Sequence, residues 1–225
     1  MTATTVQPRE GSAIADGVRA GLPLVLPSAA LGISFGVLAG PVMGATAAIA
    51  MSVVVCSGGA QFASVTVLAA GGGALPAIAA GVLVNARWLA MGFAVGPYLP
   101  GSPRARILQA QAIVDASFVI ASRDDGTFDR GLLIGATLPQ VSSWIAGTVI
   151  GVLAGPVLGD PDALGLDAIF VAFYLALMWE EAGRRGAFAA ALGGGAIALV
   201  LLPVAPVGVP VVAAAAAALI GLRRA

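Results

Sequence analysis

Lysine and histidine are absent from this chain, cysteine occurs once, and only 10% of its 225 residues are charged. Without histidine or lysine, no Ser-His, Ser-Lys or His-metal arrangement can be assembled. The lone cysteine, Cys56, lies in an apolar stretch, so it supports neither a disulfide framework nor a Cys-based metal site. An enzyme is therefore not expected, and neither a metal nor a cofactor is implied. Eleven arginines balance eleven acids, which leaves no basic footprint for a nucleic acid. A soluble chain would have roughly a quarter of its residues charged, so the scarcity of charge also excludes water as the main solvent.

What is present is apolar surface: 59% hydrophobic residues and a mean hydropathy of +1.00. The 31 glycines and 14 prolines would break up helices in water, but in lipid they permit close packing and local interruptions beside a cavity. A spanning helix needs about 20 mainly apolar residues. Windows of that kind run approximately from 21 to 40, 46 to 70, 74 to 97, 107 to 121, 131 to 155, 166 to 183, 187 to 202 and 205 to 222. The predicted fold is all-α, a polytopic transmembrane bundle of seven or eight spans with interrupted helices. Residues 1–18, which include Arg9, Glu10 and Asp16, read as a cytoplasmic tail, and residues 19–225 as the transmembrane domain. The weakest window is 107–121, which carries Gln109, Gln111 and Asp115.

The positive-inside rule, applied to eight spans, places both termini in the cytoplasm with Arg9, Arg19, Arg123, Arg130, Arg184, Arg185, Arg223 and Arg224. Arg104 and Arg106 disagree with that map, next to the weakest window. The segment Gly36 to Gly44 returns as Gly151 to Gly159, and Ser28 and Gly32 match Ser143 and Gly147 at the same offset. This suggests two related halves, with the first and fifth spans parallel on the charge map and an inverted relation left open by the Arg104 disagreement. Internal repeats are frequent in secondary transporters, which bind substrate between them near the bilayer midplane.

Polar groups inside lipid are costly, about 2.5 to 3.5 kcal/mol for a charge at a helix centre, so the few present are informative. Ser57, Gly58, Gly59 and Gln61 sit within the long window 46–70, where a glycine pair could unwind the helix and expose backbone groups to a zwitterion. Close helix packing by small residues explains the same pattern. Asn85 and Arg87 lie inside the third window; Arg87 reads as a buried counter-charge or as an interfacial group beside Trp88. Asp115 would pair with Arg87, bind protons reversibly, or lie solvated on an interfacial helix. Gln140, Ser142 and Ser143 follow Pro139 in the fifth window, as a site next to a helix interruption or as an ordinary proline kink with back-bonded serines. Trp179, Glu180, Glu181, Arg184 and Arg185 read as an interfacial anchor.

Taken in order, these positions resemble the AzlC family of bacterial membrane proteins, the large subunits of branched-chain amino-acid exporters. The resemblance rests on Gly21-Leu22-Pro23 to Phe35-Gly36, Ser57-Gly58-Gly59-Ala60-Gln61-Phe62, Asn85-Ala86-Arg87, Asp115 with Phe118, and Ser142-Ser143-Trp144 with Gly147 to Gly151. It implies export of branched-chain or related small amino acids across a bacterial inner membrane, together with a small hydrophobic AzlD-like subunit. Two positions depart from the family pattern: Arg87-Trp88 stands where the family often has Arg-His, and Asp115-Ala116 where it has Asp-Glu. A scheme of proton coupling through that imidazole cannot operate here. The competing expectations are a transporter of a different small solute and a non-transporting assembly or sensing subunit, which would need no line of polar groups at the midplane.

Overall fold

The computed structural model describes residues 10–123, 125–158, 175, 187–205, 210, 213 and 214. Apart from one antiparallel bridge between Ser122 and Phe128, all regular structure among the described residues is helical. Helix α1 (Glu10–Gly21) passes through a single 3-10 turn at Leu22–Leu24 into α2 (Val25–Met43), and from Gly11 to Met43 the two form a 33-residue apolar rod. The helix thus begins well before residue 19, where the charges had suggested a tail. Ala13, Gly17 and Gly21 recur every four residues and form a small-residue stripe, while Asp16 and Arg19 are exposed on the other side. A helix face needs only that stripe to pack.

The expected span 46–70 is broken. Helix α3 (Ala45–Val55) stops at Cys56, and α4 (Gly58–Ala69) restarts after Ser57. The expected span 74–97 becomes α5 (Ala74–Val84) and α6 (Arg87–Val95), bent by 51° at Asn85–Ala86. The window 107–121 is not one helix: α7 (Pro103–Ala110) and α8 (Asp115–Ala121) flank a non-helical stretch. There the buried Ser117 hydroxyl accepts the Val114 amide (3.1 Å) and donates to the Ala112 carbonyl (2.6 Å). A serine offering the backbone this alternative competes directly with the helical ladder. Helix α9 (Arg130–Leu158) is continuous over 29 residues, and α10 spans Ala187–Leu201.

Two helical rods, Gly11–Met43 and Arg130–Gly155, are each long and apolar enough to cross a membrane, and the bent α5–α6 pair would make a third. Nearly all of the expected spans 166–183 and 205–222, and the whole of the anchor at Trp179 to Arg185, lie outside the described residues.

The fold is organised around a seam where α1–α2 lies alongside α9, running parallel to it. A Cβ on Gly17 would lie 2.7 Å from the Leu132 carbonyl oxygen, and one on Gly21 would lie 2.6 Å from that of Ala136. Gly32 and Gly36 press on the backbone at Trp144 and Thr148, and Gly147 and Gly151 press back on Ala29 and Ile33. Shifted by the repeat offset, the contacts exchange partners: Gly32 against Trp144 and Thr148 mirrors Gly147 against Ala29 and Ile33, while Gly17 with Leu132 and Gly21 with Ala136 pair equivalent positions of the two copies. The sequence repeat therefore reappears as a quasi-two-fold packing of two parallel helices, the relation expected of an axis along the membrane normal. Such close backbone approach gains dispersion contacts that lipid tails would not supply.

Candidate functional site

The chemistry gathers where α3 gives way to α4. Cys56 ends α3 in the left-handed region (φ 48°), a conformation that costs a non-glycine residue about 1–2 kcal/mol. Such strain persists only where surrounding contacts impose it. Buried Ser57 caps α4, its hydroxyl accepting the Ala60 amide at a long 3.5 Å and donating to Asn85 Oδ1 at 2.7 Å. The break in one helix is thereby tied to the bend in another. Gly58 is required for a different reason than unwinding: the Trp144 indole lies where its side chain would be, with Cη2 2.7 Å from an added Cβ.

Behind the break lies a buried polar relay. Gln61, with no exposed surface, donates from Nε2 to Ser52 Oγ at 2.9 Å, and Trp144 Nε1 donates to the same oxygen at 3.3 Å. These two bonds occupy both lone pairs of the Ser52 hydroxyl. Its proton must then go to Thr148 Oγ1, 2.8 Å away, and Thr148 passes its own to the Trp144 carbonyl at 3.0 Å. The direction of every bond is set by this count. One acceptor is left over: Gln61 Oε1 is buried and has no partner. Leaving a buried acceptor unsatisfied costs about 1–3 kcal/mol. Phe35, Phe62 and Trp144 enclose the relay, with ring centroids 5.7 to 6.4 Å apart.

Thr137, Gln140, Trp144 and Thr148 succeed one another at intervals of three and four along one stripe of α9. Thr137 donates to the Ala112 carbonyl at 2.7 Å, while Gln140 Oε1, like Trp88 Nε1, is buried without a partner. Ser142 and Ser143 take no part. They donate to the carbonyls of Leu138 and Gln140 one turn back, and Ser142 is exposed. Of the two readings left open for this segment, they follow the back-bonded one.

Arg87 Nη2 meets Asp115 Oδ2 at 2.8 Å, each side chain about two-fifths exposed (42% and 41%). The pair forms, but the described residues do not enclose it. Between the break and the bend, α3, α4, α5 and α6 line a half-open cavity of about 410 Å³ bounded by Met51, Val55, Val82 and Leu89, with Asn85 and Ser64 on its polar side. Among the described residues, no group of three potential metal ligands occurs.

Ser52, Trp144 and Thr148 are the participants that sequence reasoning had not marked as site residues. Ser52 stands five residues before the SerGlyGly motif in an otherwise apolar run. Thr148 is one of the few polar side chains in the second repeat, and a period-four reading from Trp144 would have linked the two.

With this geometry in view, comparison with known proteins is informative. Residues 23–158, more than half of the chain, match the family described as AzlC protein. The chain is 30% identical to the inner membrane protein YgaZ of Escherichia coli (strain K12), the match covering 78% of each protein. It is 24% identical to an uncharacterized membrane protein of Helicobacter pylori, over 61% of each chain. No solved structure matches.

Proposed function

The chain belongs to the AzlC family of membrane proteins, and from that premise we propose that it is the large subunit of an inner-membrane exporter of branched-chain or related small amino acids, acting with a small hydrophobic AzlD-like partner. The observation that carries the reading is the interrupted α3–α4 helix with an unpartnered, fully buried Gln61 carbonyl oxygen behind it. The start of α4 presents free amide groups and a positive helix end, suited to a carboxylate. The end of α3 presents carbonyls, and Gln61 Oε1 lacks a donor of the kind an ammonium provides. In this reading Ser57, Gly58, Gly59 and Gln61 form the cradle, Asn85 couples it to the α5–α6 bend, and the Arg87–Asp115 pair is a charge lock between α6 and α8. Gln140 extends the polar stripe of α9. Seven or eight spans with a cytoplasmic N-terminus complete the topology. The residue set argues for transport rather than catalysis, since it holds no paired base and nucleophile.

The test is intracellular leucine, isoleucine and valine in cells lacking their own exporters and fed a dipeptide source, with and without this chain and its small partner. Lower pools that require both chains are expected. Unchanged pools with the protein present in the membrane would refute export of these amino acids, and lowered pools without the partner would refute the two-subunit arrangement.

A further inference from the structure

We propose that the cavity between the α3–α4 break and the α5–α6 bend is a side-chain subsite for an aliphatic amino acid, one that selects by apolar area and not by the pattern of branching. The inference rests on the function proposed above. Its walls are hydrocarbon: Met51 and Val55 from α3, Ala60 from α4, Val82 from α5, Ala86 from the bend and Leu89 from α6. At its polar edge, Asn85 accepts the hydrogen bond from Ser57, the residue that caps α4 beside the proposed cradle. Ser64 also borders it, but its hydroxyl is already committed to the Ala77 carbonyl at 2.9 Å. The cavity therefore offers an apolar body whose polar edge, at Asn85, is hydrogen-bonded to the residue that caps α4 at the backbone break. That is the division of labour a zwitterion with a hydrocarbon side chain requires.

Its size determines the kind of selectivity. At about 410 Å³ it lies within the roughly 300–1,000 Å³ range of small-molecule sites, and it has more room than one four-carbon side chain fills. A pocket of that size cannot read branching by steric fit. Each methylene it takes in still contributes about 1–3 kcal/mol of discrimination, or roughly 10–200-fold. Leucine, isoleucine and an unbranched isomer should then be handled alike, and serine or alanine far less well. The cavity also opens sideways, because Val82 and Leu89 are 64% and 68% exposed, so a lipid acyl chain is the other possible source of hydrocarbon.

The experiment is competitive flux in everted vesicles from cells co-expressing the full chain and its small partner. The wild type is compared with Ala86→Phe, which fills the cavity from an exposed position in ordinary helical geometry, and with Val82→Ala, which enlarges it. The expected results are equal wild-type flux of leucine, isoleucine and norleucine, a leucine-to-alanine flux ratio that falls by about tenfold in Ala86→Phe, and a preference in Val82→Ala shifted toward larger side chains. An unchanged ratio in both variants, with flux intact, would overturn the subsite alone. So would fluxes that follow the acyl-chain length of the vesicle lipid equally for alanine and leucine, the outcome expected if lipid fills the cavity. Absence of amino-acid flux in the wild type would instead overturn the transport reading and the subsite with it.

Discussion

The seam between α1–α2 and α9 and the break between α3 and α4 use the same residue type to opposite ends. In the seam, glycine removes side chains so that two backbones can touch, and the contacts repeat themselves under the quasi-two-fold relation. At the break, Gly58 makes room for an indole, Cys56 two residues earlier is strained, and a buried acceptor goes unpaired. The repeat offset that maps Gly36 onto Gly151 maps Ser57 onto Ala172, Gln61 onto Ala176 and Arg87 onto Leu202. The two copies thus share the glycines of the seam, while the polar residues of the break have no counterpart in the second copy, which supplies Gln140, Trp144 and Thr148 instead. A duplicated scaffold to which each copy brings different polar residues reads as a rigid frame holding one asymmetric site.

The largest effect should come from breaking the frame. Gly36→Val would drive a side chain into the α9 backbone, which cannot yield as a flexible side chain would. Overpacking of this kind costs about 1–3 kcal/mol or more, and loss of folded protein is expected in detergent-exchange chromatography. The internal control is Gly40→Ala, whose new methyl would meet only Val152 Cγ2 at 4.0 Å and should leave folding intact. Equal damage from both would dissolve the distinction between seam and periphery.

Next comes the relay. Thr148→Val leaves the Ser52 proton without an acceptor and should lower stability by about 1–3 kcal/mol, read as a shift in thermal melting. Ser143→Ala, removing a hydroxyl that only back-bonds to its own helix, should change little. The half-exposed Arg87–Asp115 pair ranks below it, because partly solvated ion pairs contribute about 0–1 kcal/mol. Either single charge reversal should lower flux, and the exchange Arg87→Asp with Asp115→Arg should recover it; failure to recover would separate the contact from the function.

The smallest effect belongs to the connection before α9, outside the apolar rods. There the Thr127 hydroxyl and amide both donate to Asp125, holding its carboxyl below the usual range. A carboxyl lowered in the folded state stabilises the turn above its ordinary titration and loses that contribution as the pH falls toward the folded value. Proteolytic nicking at this loop should therefore rise on acidification, and Thr127→Ala should flatten the dependence.

How much of this the sequence carried depended on the kind of signal. Composition and the apolar windows gave an all-helical membrane chain, and Ser57 beside Gly58-Gly59 and Gln61 marked the neighbourhood of the break, because a capping serine acts locally, although Gly58 itself makes room for the Trp144 indole. The repeat was legible as matched letters, while its meaning was not: parallel backbone contact is a property of two distant segments. The reading of residues 1–18 as a tail did not anticipate that the chain is helical from Glu10, because the charges of Asp16 and Arg19 hid the stripe of Ala13, Gly17 and Gly21. The weakness of the window 107–121 was legible, but not its cause, because Ser117 caps the start of α8 by hydrogen bonding, which hydropathy does not register. Ser52 and Thr148 were passed over because a lone hydroxyl in an apolar run gains meaning only from its partner 96 residues away.

The central claim, that substrate binds at the α3–α4 break, can be tested without any mutation, since Cys56 is the sole cysteine and stands in the break, partly exposed. The measurement is the rate of maleimide labelling of Cys56 in membranes containing the full chain and its small partner, with and without saturating leucine. Protection by leucine, and none by an equal concentration of a charged amino acid such as glutamate, is the expected result. Identical labelling rates under all conditions, in membranes where leucine flux is measurable, would place the substrate elsewhere and contradict the account.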